Sequence, residues 1–358
     1  MRIVVAMSGG VDSSVAAYEL KKQGHDVIGI TIKTWPKEEC GAEGGKLCCS
    51  LDAIKFARSV AEDLKIPYYV IDLSKEFAES VQKYFVDEYA RGRTPSPCIY
   101  CNSRIKFGRL FEKARELGAE KIATGHFARI LKSGSTYRLV EAEDLSVDQS
   151  YFLYDISSQM LPFIEFPVGT FTKKMVRSIA QEQLFMSADR QSSQDICFVS
   201  GTGGYRKYLT KLGVNAFAPG KMLDVTGKAV GEHKGIAFYT VGQRRHVGVS
   251  GPEPLYVLKI DPKNNTITIG QRAHAMKSKM RVGEINWLTP EAPVTRKKFG
   301  VRIRHRGDKA SATVILVRGG KAVVEFDEPQ FAPAPGQAAV FYEGETLACG
   351  AWIEEVLE

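Results

Sequence analysis

The sequence lacks any run of apolar residues that approaches the roughly 20 needed to span a bilayer. Its N-terminus begins a strand-like segment at residues 3–7, and the charged and then apolar pattern of a secretory signal is missing. Low-complexity tracts and convincing internal repeats are missing too. These absences exclude membrane-spanning and solenoid architectures, so we expect a cytoplasmic protein with no membrane partner.

Cysteine occurs in an odd number, with seven residues among 358. In a chain expected to be cytoplasmic, this disfavours a disulfide framework and favours redox, sulfur or metal chemistry. The length, the 44% hydrophobic composition and the net charge of +8 predict two or three domains with a substantial core.

Two common nucleotide-binding signatures are absent, the Gly-x4-Gly-Lys-Ser/Thr loop and the Gly-x-Gly-x-x-Gly fingerprint. Instead, the sequence Ser-Gly-Gly-Val-Asp-Ser-Ser at residues 8–14 directly follows an apolar segment. Adjacent glycines let the backbone approach an anion, and hydroxyl and N–H groups at the start of the following helix face it. We predict that this phosphate loop binds ATP and that Ser13 or Ser14 caps the helix; an ordinary strand–turn–helix is the alternative.

The N-terminal part of the chain alternates strand-like and helix-like segments, as a doubly wound parallel α/β sheet requires. Ligands in such folds bind beyond the carboxyl ends of the strands. This places the phosphate loop, Ile32 and the pair Gly125-His126 at one edge of the sheet. We predict an ATP-binding catalytic domain over residues 1–205.

The pattern changes after residue 205. Residues 204–272 hold eleven Lys or Arg against four Asp or Glu and read as short strands, which predicts a small, basic, β-rich, RNA-binding domain over residues 206–272. Alternating strands follow, and they predict an RNA-contacting antiparallel β-barrel over residues 273–358.

A strongly basic stretch lies in this last region. Arg302, Arg304 and Arg306 alternate with Val301 and Ile303, which predicts a strand with three guanidinium groups on one face. Such a density of charge suits an RNA backbone; a solvated basic face is the alternative.

Three cysteines lie in segments that suit chemistry. Cys98 and Cys101 form a Cys-x-x-Cys pair at a proline-punctuated helix start, a setting that lowers thiol pKa values. Cys197 stands alone in the sequence. The alternative interpretation is that it packs as a small, buried hydrophobic residue. We predict that Cys349 lies in the barrel core. No role is predicted for the remaining three, Cys40, Cys48 and Cys49.

These motifs resemble the motifs of a known enzyme family. The loop resembles the PP-loop signature of enzymes that split ATP between its α- and β-phosphates. Together with the cysteine segments, it makes the whole chain similar to the bacterial and organellar tRNA-specific 2-thiouridylases, which replace O2 of the wobble uridine with sulfur. The matching motifs include Thr-Pro-Ser-Pro at residues 94–97, Thr-Gly-His at 124–126, Asp-Gln-Ser-Tyr-Phe-Leu at 148–153 and Thr-Val-Gly-Gln-Arg at 240–244.

The resemblance implies a role for each site residue. Cys101 and Cys197 would be catalytic. The implied ATP contacts are Ala6, Met7, Ser8, Gly9, Gly10, Val11, Asp12, Ser13, Ile32 and Gly125. The implied contacts to the target base or tRNA are Ser96, Pro97, Cys98, His126, Val147, Asp148, Gln149, Arg304, His305, Arg306 and Gln337. ATP and Mg²⁺ would be required, and the partners would be glutamate, glutamine and lysine tRNAs and a cysteine desulfurase or sulfur-relay donor.

The implied mechanism adenylates the uracil oxygen, after which sulfur displaces AMP. Cys197 would carry a persulfide, and Cys101 would close a disulfide with it as sulfur leaves. Two positions depart from the family pattern: Cys98 stands where many members have an acid, and Val147 where they tend to have Lys or Arg.

Three alternatives stay open at this point. Cys98, Cys101 and Cys197 could instead hold an iron–sulfur cluster, with a closed zinc site less favoured because it wants a fourth ligand. A second alternative is another PP-loop ATP pyrophosphatase that adenylates a small molecule or a different RNA base. A third is an RNA-binding module without catalysis.

Overall fold

A computed structural model describes residues 1–34, 51–188, 190, 196–199, 203–211, 218–249, 251–289 and 295–357. Cys40, Cys48 and Cys49 lie outside these residues. Across the described ranges, no helix combines the length and apolar character needed to cross a membrane. The chain divides into two compact units. Unit 1 comprises Met1–Gln82, Cys98–Tyr205 and Glu345–Leu347; unit 2 comprises Lys83–Pro97, Arg206–Gly344 and Ala348–Glu358.

The described helices are α1 (Val11–Lys22), α2 (Leu51–Asp63), α3 (Ser74–Phe77), α4 (Lys83–Ala90), α5 (Pro97–Tyr100), α6 (Leu110–Glu116), α7 (Lys173–Glu182) and α8 (Tyr205–Lys211). Two segments are π-helical, Ala78–Gln82 and Cys101–Arg109. The second leads directly into α6.

Unit 1 is built on a five-stranded parallel sheet in the order β3-β2-β1-β4-β7. Its strands are β1 (Arg2–Ala6), β2 (Asp26–Lys33), β3 (Tyr68–Asp72), β4 (Lys121–Thr124) and β7 (Ile164–Glu165). The central strand β1 buries Ile3, Val4 and Val5 completely, because helices cover both faces of a parallel sheet. Helix α1 packs against α7, with Val15, Ala16, Val176 and Ala180 in one core.

A hairpin also belongs to unit 1, formed by β5 (Arg129–Ser133) and β6 (Thr136–Val140). Thr346 pairs with Val140 at its end. The parallel sheet confirms the doubly wound α/β expectation for the N-terminal part of the chain.

Unit 2 contains a four-stranded sheet in the order β10-β11-β8-β9. Its strands are β8 (Gly220–Leu223), β9 (Ala229–His233), β10 (Tyr256–Asp261) and β11 (Thr266–Gly270). Met222, Val257 and Ile267 are fully buried and form the centre of its core.

The remaining strands of the chain form a closed antiparallel barrel in the order β12-β15-β14-β13-β16-β17, with β17 pairing back to β12. They are β12 (Met276–Trp287), β13 (Arg296–Arg302), β14 (Ala310–Val317), β15 (Lys321–Phe331), β16 (Ala338–Glu343) and β17 (Thr346–Leu357). Closure leaves no unpaired edge strand. Cys349 is 1% exposed inside this barrel, as expected, and burial raises the pKa of its thiol.

Candidate functional site

The phosphate loop connects β1 to α1 and is fixed from both ends. Met7 donates its N–H to the Ile30 carbonyl at 2.8 Å, and Thr31 Oγ1 donates to the Met7 carbonyl at 2.6 Å. Farther along, Ser8 donates its N–H to Ser13 Oγ at 3.2 Å. These bonds hold the loop before any ligand arrives.

Two glycines allow backbone segments to pack closely against each other at this loop. Gly9 has φ +70°, and a Cβ there would lie 2.2 Å from the Ala53 carbonyl oxygen. Gly125 follows β4, and a Cβ there would lie 2.5 Å from Ser13 N and 2.6 Å from Asp12 C. Since each Cβ would strike backbone, only glycine fits at either position. Gly125 therefore lies directly on the start of α1, at the sheet edge expected from the sequence.

The start of α1 differs from the expected capping. Gly10 occupies the N-cap position in extended conformation and no side chain caps the helix. Ser13 and Ser14 lie inside the first turn, and each donates its hydroxyl to the Gly10 carbonyl at 3.0 Å. The prediction that one of them caps the helix was wrong, because α1 already begins at Val11 and Gly10 occupies the N-cap position. The first N–H groups of α1, which have no intrahelical acceptor, thus face the loop without a side-chain cap, a setting that suits an anion.

The other predicted ATP contacts lie on the same strands or helix. Ala6 ends β1, opposite Ile30 and Thr124 on the flanking strands. Ile32 is half-buried near the end of β2, and Val11 is buried at the start of α1. Adjacent parallel strands bring these residues to one edge of the sheet, and their contacts to ATP stay a prediction.

Two cations that sequence reasoning missed reach the loop from distant segments. Lys173, the first residue of α7, forms an ion pair with Asp12. Arg190 donates through Nη1 to the Gly9 carbonyl at 3.0 Å and lies over the Phe56 ring at 5.4 Å. They stand 161 and 181 residues from their partners, and no local pattern in the sequence connects them.

The three cysteines of interest are half-buried. Cys98 lies in α5 and Cys101 begins the second π-helical segment. Phe198, next to Cys197, packs edge-to-face on Phe77 of α3 with ring centroids 5.5 Å apart, and α3 also contacts the π-helical segment. The segments that contain Cys101 and Cys197 therefore both pack near α3. The sequence Ser-Ser-Gln-Asp at residues 192–195 lies outside the described residues.

The arrangement of the cysteines does not suit a metal cluster. Among the described residues, which include Cys98, Cys101 and Cys197, no group of three or more His, Cys, Asp or Glu side chains could hold a metal ion. An iron–sulfur cluster needs its thiolates around one point. The cluster alternative therefore finds no ligand set in this structure.

A polar chain links the residue after Cys101 to the edge of the sheet. Asn102 donates to the Phe152 carbonyl at 3.0 Å and accepts from Lys106 Nζ at 2.9 Å. Lys106 Nζ also lies 3.4 Å from His126 Nε2, whose ring presents Nδ1 to Thr124 Oγ1 at 2.7 Å. Because an ammonium group only donates, Nε2 is the acceptor and Nδ1 carries the proton.

This environment keeps His126 neutral. Burial is the main cause that lowers the pKa of His126 well below its usual value, and the positive charge of Lys106 lowers it further. The ring packs between Phe107 and Phe166, with centroid distances of 6.2 and 6.0 Å. A neutral His126 carries no positive charge that could pair with a phosphate.

The predicted tRNA residues at 147–149 have internal partners. Asp148 is buried and accepts from the N–H groups of Ala142 and Ser150 at 3.0 and 3.2 Å. Gln149 Oε1 accepts from Phe127 N at 3.1 Å, which fixes Gln149 beside His126. Val147 is half-buried against the unit 1 core. Their contacts to tRNA stay a prediction, and these bonds show that they also hold the loop.

In unit 2, Gln337 holds the proline-rich segment that precedes Cys98. Its Nε2 donates to the carbonyls of Thr94 and Pro95, each at 3.1 Å. Ser96 is buried and donates its N–H to Tyr84 Oη at 3.3 Å, and Pro97 is buried beside it. Gln337 is thus a positioning residue for the segment that precedes Cys98. Its contact to tRNA stays a prediction.

The basic run beyond β13 is arranged differently from the prediction. The strand ends at Arg302, which is buried with its guanidinium over the Tyr342 ring at 5.1 Å. Arg304 follows in a turn and donates to the Ala332 carbonyl at 2.8 Å, while His305 is half-buried and Arg306 is exposed. The predicted strand with three guanidiniums on one face was wrong, because the chain turns after Arg302.

Three family models match successive parts of the chain. They are described as the tRNA methyl transferase HUP domain over residues 1–201, the tRNA methyl transferase PRC-barrel domain over residues 207–271, and the aminomethyltransferase β-barrel domain over residues 277–353. The first alone spans more than half of the chain.

Curated relatives match over the full length. The tRNA-specific 2-thiouridylase MnmA 2 of Thermoanaerobacter sp. (strain X514) is 42% identical over 360 residues, covering 100% of this chain and 99% of the relative. The proteins named tRNA-specific 2-thiouridylase MnmA from Geobacter metallireducens and Chloroflexus aurantiacus are also 42% identical, covering 99% and 98% of this chain and 97% and 98% of the relatives. A solved 4-thiouridine synthetase–RNA complex with bound ATP is 19% identical over 59% of this chain and 49% of that chain; its TM-score of 0.38 is too low to support a conclusion.

Proposed function

The chain belongs to the family of tRNA-specific 2-thiouridylases, and from this premise we propose that it replaces O2 of the wobble uridine of tRNA with sulfur in an ATP-dependent reaction. The observation that carries the proposal is the preformed phosphate loop. Gly9 and Gly125 bring backbone to within contact distance around an uncapped helix start, which is a site for a polyanion. The expected substrates are the glutamate, glutamine and lysine tRNAs.

In the first step the uracil oxygen O2 bonds to the α-phosphorus of ATP. The bond from that phosphorus to the α,β-bridging oxygen breaks, and the electron pair leaves with pyrophosphate. The loop N–H groups hold the phosphates. Asp12 and the hydroxyl of Ser8 would hold Mg²⁺, which prefers oxygen ligands and would neutralise phosphate charge.

In the second step the terminal sulfur of a persulfide on Cys197 bonds to C2, and the C2–O bond breaks to release AMP. The Cys101 thiolate then attacks Cys197 Sγ and forms a disulfide. The bond between Cys197 Sγ and the transferred sulfur breaks, and its electron pair stays with this sulfur, which remains on C2 as the thiocarbonyl. A cysteine desulfurase or relay protein supplies the persulfide, and a dithiol reductant restores both thiols. No step is assigned to iron, because the described residues offer no group of three or more side chains that could ligate a metal.

The tRNA is proposed to contact several parts of the chain. Neutral His126 and the neighbouring Gln149 lie beside the sheet edge, where a uracil turned out of its stack would need hydrogen bonds and an aromatic face. The basic residues 206–272 and the exposed Arg306 in residues 273–358 supply positive charge for the backbone of the tRNA.

The test is formation of 2-thiouridine by the purified protein. Unmodified glutamate tRNA, ATP, Mg²⁺, a thiol reductant and a cysteine desulfurase with cysteine are incubated together, and the nucleoside digest is analysed by mass spectrometry. We expect 2-thiouridine from the parent protein and from a Cys349→Ser control. Cys101→Ser and Cys197→Ser are expected to release pyrophosphate in a tRNA-dependent manner without forming 2-thiouridine.

Two results would contradict the proposal: no 2-thiouridine from the parent, or full thiolation by either cysteine variant. Iron and labile sulfide, measured on protein purified without oxygen, test the sulfur route separately. We expect neither at stoichiometric level. Iron that disappears in Cys98→Ala would replace the persulfide route with a cluster.

A further inference from the structure

We propose that Tyr68 and Thr31 are positioning residues for nucleotide binding, because they begin a directed series of hydrogen bonds that runs into the phosphate loop. This inference rests on the proposed function, since it concerns how the protein binds ATP. Tyr68 lies on β3 and Thr31 on β2, whereas the loop follows β1. Both residues act on the nucleotide from a distance, through the backbone of the loop.

The first two hydrogen bonds cross the sheet from β3 to β1. Tyr68 Oη lies 2.7 Å from Thr31 Oγ1, which lies 2.6 Å from the Met7 carbonyl oxygen. A carbonyl oxygen only accepts, so the single hydroxyl proton of Thr31 is committed to Met7. Thr31 Oγ1 must then accept from Tyr68, and the phenol is the donor. Thr31 is 1% exposed, so water does not compete for these bonds.

The Tyr68 ring reaches Thr31 because Gly29 leaves room for it. Gly29 is the partner of Tyr68 between β2 and β3, and the side chain of Thr31, two residues later, lies on the same face. A Cβ at Gly29 would lie 3.3 Å from Tyr68 Cδ2 and 2.6 Å from Met7 Sδ. The phenol also lies 3.4 Å from the Ile54 carbonyl, a longer and weaker acceptor. Burial is the main cause that raises the pKa of Tyr68, so the phenol keeps the proton that it donates.

The series continues through the first peptide of the loop. The peptide between Met7 and Ser8 has its carbonyl bonded to Thr31 and its N–H bonded to Ser13 Oγ at 3.2 Å. Ser13 in turn donates its hydroxyl to the Gly10 carbonyl at 3.0 Å. Each group accepts on one side and donates on the other, always in the same direction. Hydrogen bonds in such a series polarise one another, and this peptide is fixed at both of its ends.

The series ends at the peptide that begins α1. The Gly10 carbonyl accepts from the hydroxyls of Ser13 and Ser14, each at 3.0 Å. The N–H of the same peptide belongs to Val11, the first residue of α1, and has no intrahelical acceptor. A peptide whose carbonyl accepts hydrogen bonds is a stronger N–H donor. The hydroxyls on β2 and β3 therefore strengthen a donor at a helix start that suits an anion.

The test measures pyrophosphate release against ATP concentration at saturating tRNA. Thr31→Val keeps the shape of the side chain and removes its hydroxyl, so the Met7 carbonyl loses its donor. We expect the KM for ATP to rise about 10-fold, the loss of one buried hydrogen bond, with kcat within twofold of the parent. Thr31→Ser retains the hydroxyl and is expected to restore the parental KM. A threonine that only packs would lower the melting temperature in both variants and leave the KM unchanged.

Tyr68→Phe tests the same series at its start and removes one oxygen atom from a half-buried side chain. We expect the KM for ATP to rise about threefold, less than in Thr31→Val, because Thr31 still donates to Met7. Tyr69→Phe is the matched control, since Tyr69 is the next residue of β3 and is 49% exposed. It is expected to keep the parental KM. In Thr31→Val/Tyr68→Phe the KM should equal that of Thr31→Val, because Tyr68 acts only through Thr31.

Three results would overturn the positioning role: a parental KM in Thr31→Val, an equal rise in Thr31→Ser, or additive rises in the double variant. If Thr31→Val does not fold, Tyr68→Phe decides, and a parental KM in that variant overturns the role. These results leave the proposed function intact, because the parent still releases pyrophosphate. A parent that releases no pyrophosphate with ATP and tRNA would overturn the proposed function and this role together.

Discussion

Replacing Gly125 with alanine tests the contact on which the phosphate loop depends. The new Cβ would lie 2.5 Å from Ser13 N, whereas ordinary contact begins at 3.4 Å, so the loop or β4 must move by about 0.9 Å. The atoms in the way belong to the backbone of the loop, which cannot rotate aside as a side chain does. Overpacking of this kind costs roughly 1–3 kcal/mol of stability.

The catalytic effect should exceed the loss of stability. A displacement of about 1 Å at reacting groups can lower a rate by roughly 100-fold. We therefore expect Gly125→Ala to fold with a lowered melting temperature and to release pyrophosphate about 100-fold more slowly, measured with saturating tRNA in a coupled assay.

The control for this variant is Gly251→Ala. Its Cβ would meet the end of the flexible Leu255 side chain at 3.3 Å, and Gly251 lies in unit 2. It should bind ATP as the parent does. If Gly125→Ala releases pyrophosphate within twofold of the parental rate, Gly125 does not position the loop.

Three further predictions follow from the same structure. The pKa of His126 is lowered in the folded protein, so the unfolded state binds more protons below about pH 6.5. This residue therefore makes the free energy of unfolding fall as pH decreases, at most by about 1.4 kcal/mol per pH unit. Chemical unfolding at several pH values should show this contribution in the parent and not in His126→Gln. Gln337→Glu replaces the amide donor with a carboxylate oxygen that faces the carbonyls of Thr94 and Pro95. Denaturant unfolding should show a free energy of unfolding lowered by about 2 kcal/mol. An unchanged free energy of unfolding would contradict the positioning role. Cys349 is buried with a raised thiol pKa, so iodoacetamide should modify the half-buried Cys98 in the folded protein but leave Cys349 unmodified, as peptide mass spectrometry would show.

The sequence was sufficient to locate the phosphate loop. Parallel strands place their carboxyl ends at one edge, so β1, β2 and β4 had to bring residues 8–14, Ile32 and Gly125 together once the α/β alternation was recognised. The barrel was predictable for a similar reason, because alternation of apolar and polar residues is local and regular.

Other features of the site depend on contacts that no local pattern encodes. Lys173 and Arg190 reach the loop from segments far away in sequence, so periodicity cannot pair them with Asp12 and Gly9. The alternation around Arg302 continues past the end of β13, because Ile303 is buried although the chain has already turned. The sequence also gives no sign that the segment after Cys101 is π-helical, since apolar spacing fits an α-helix equally well.

The central claim is that ATP activates the uracil oxygen itself. It is tested most directly with tRNA whose wobble uridine carries ¹⁸O at O2, incubated with the protein, ATP, Mg²⁺ and a sulfur source. The account predicts that each 2-thiouridine formed is matched by one AMP that contains a single ¹⁸O atom. Formation of 2-thiouridine together with unlabelled AMP would contradict adenylation of O2.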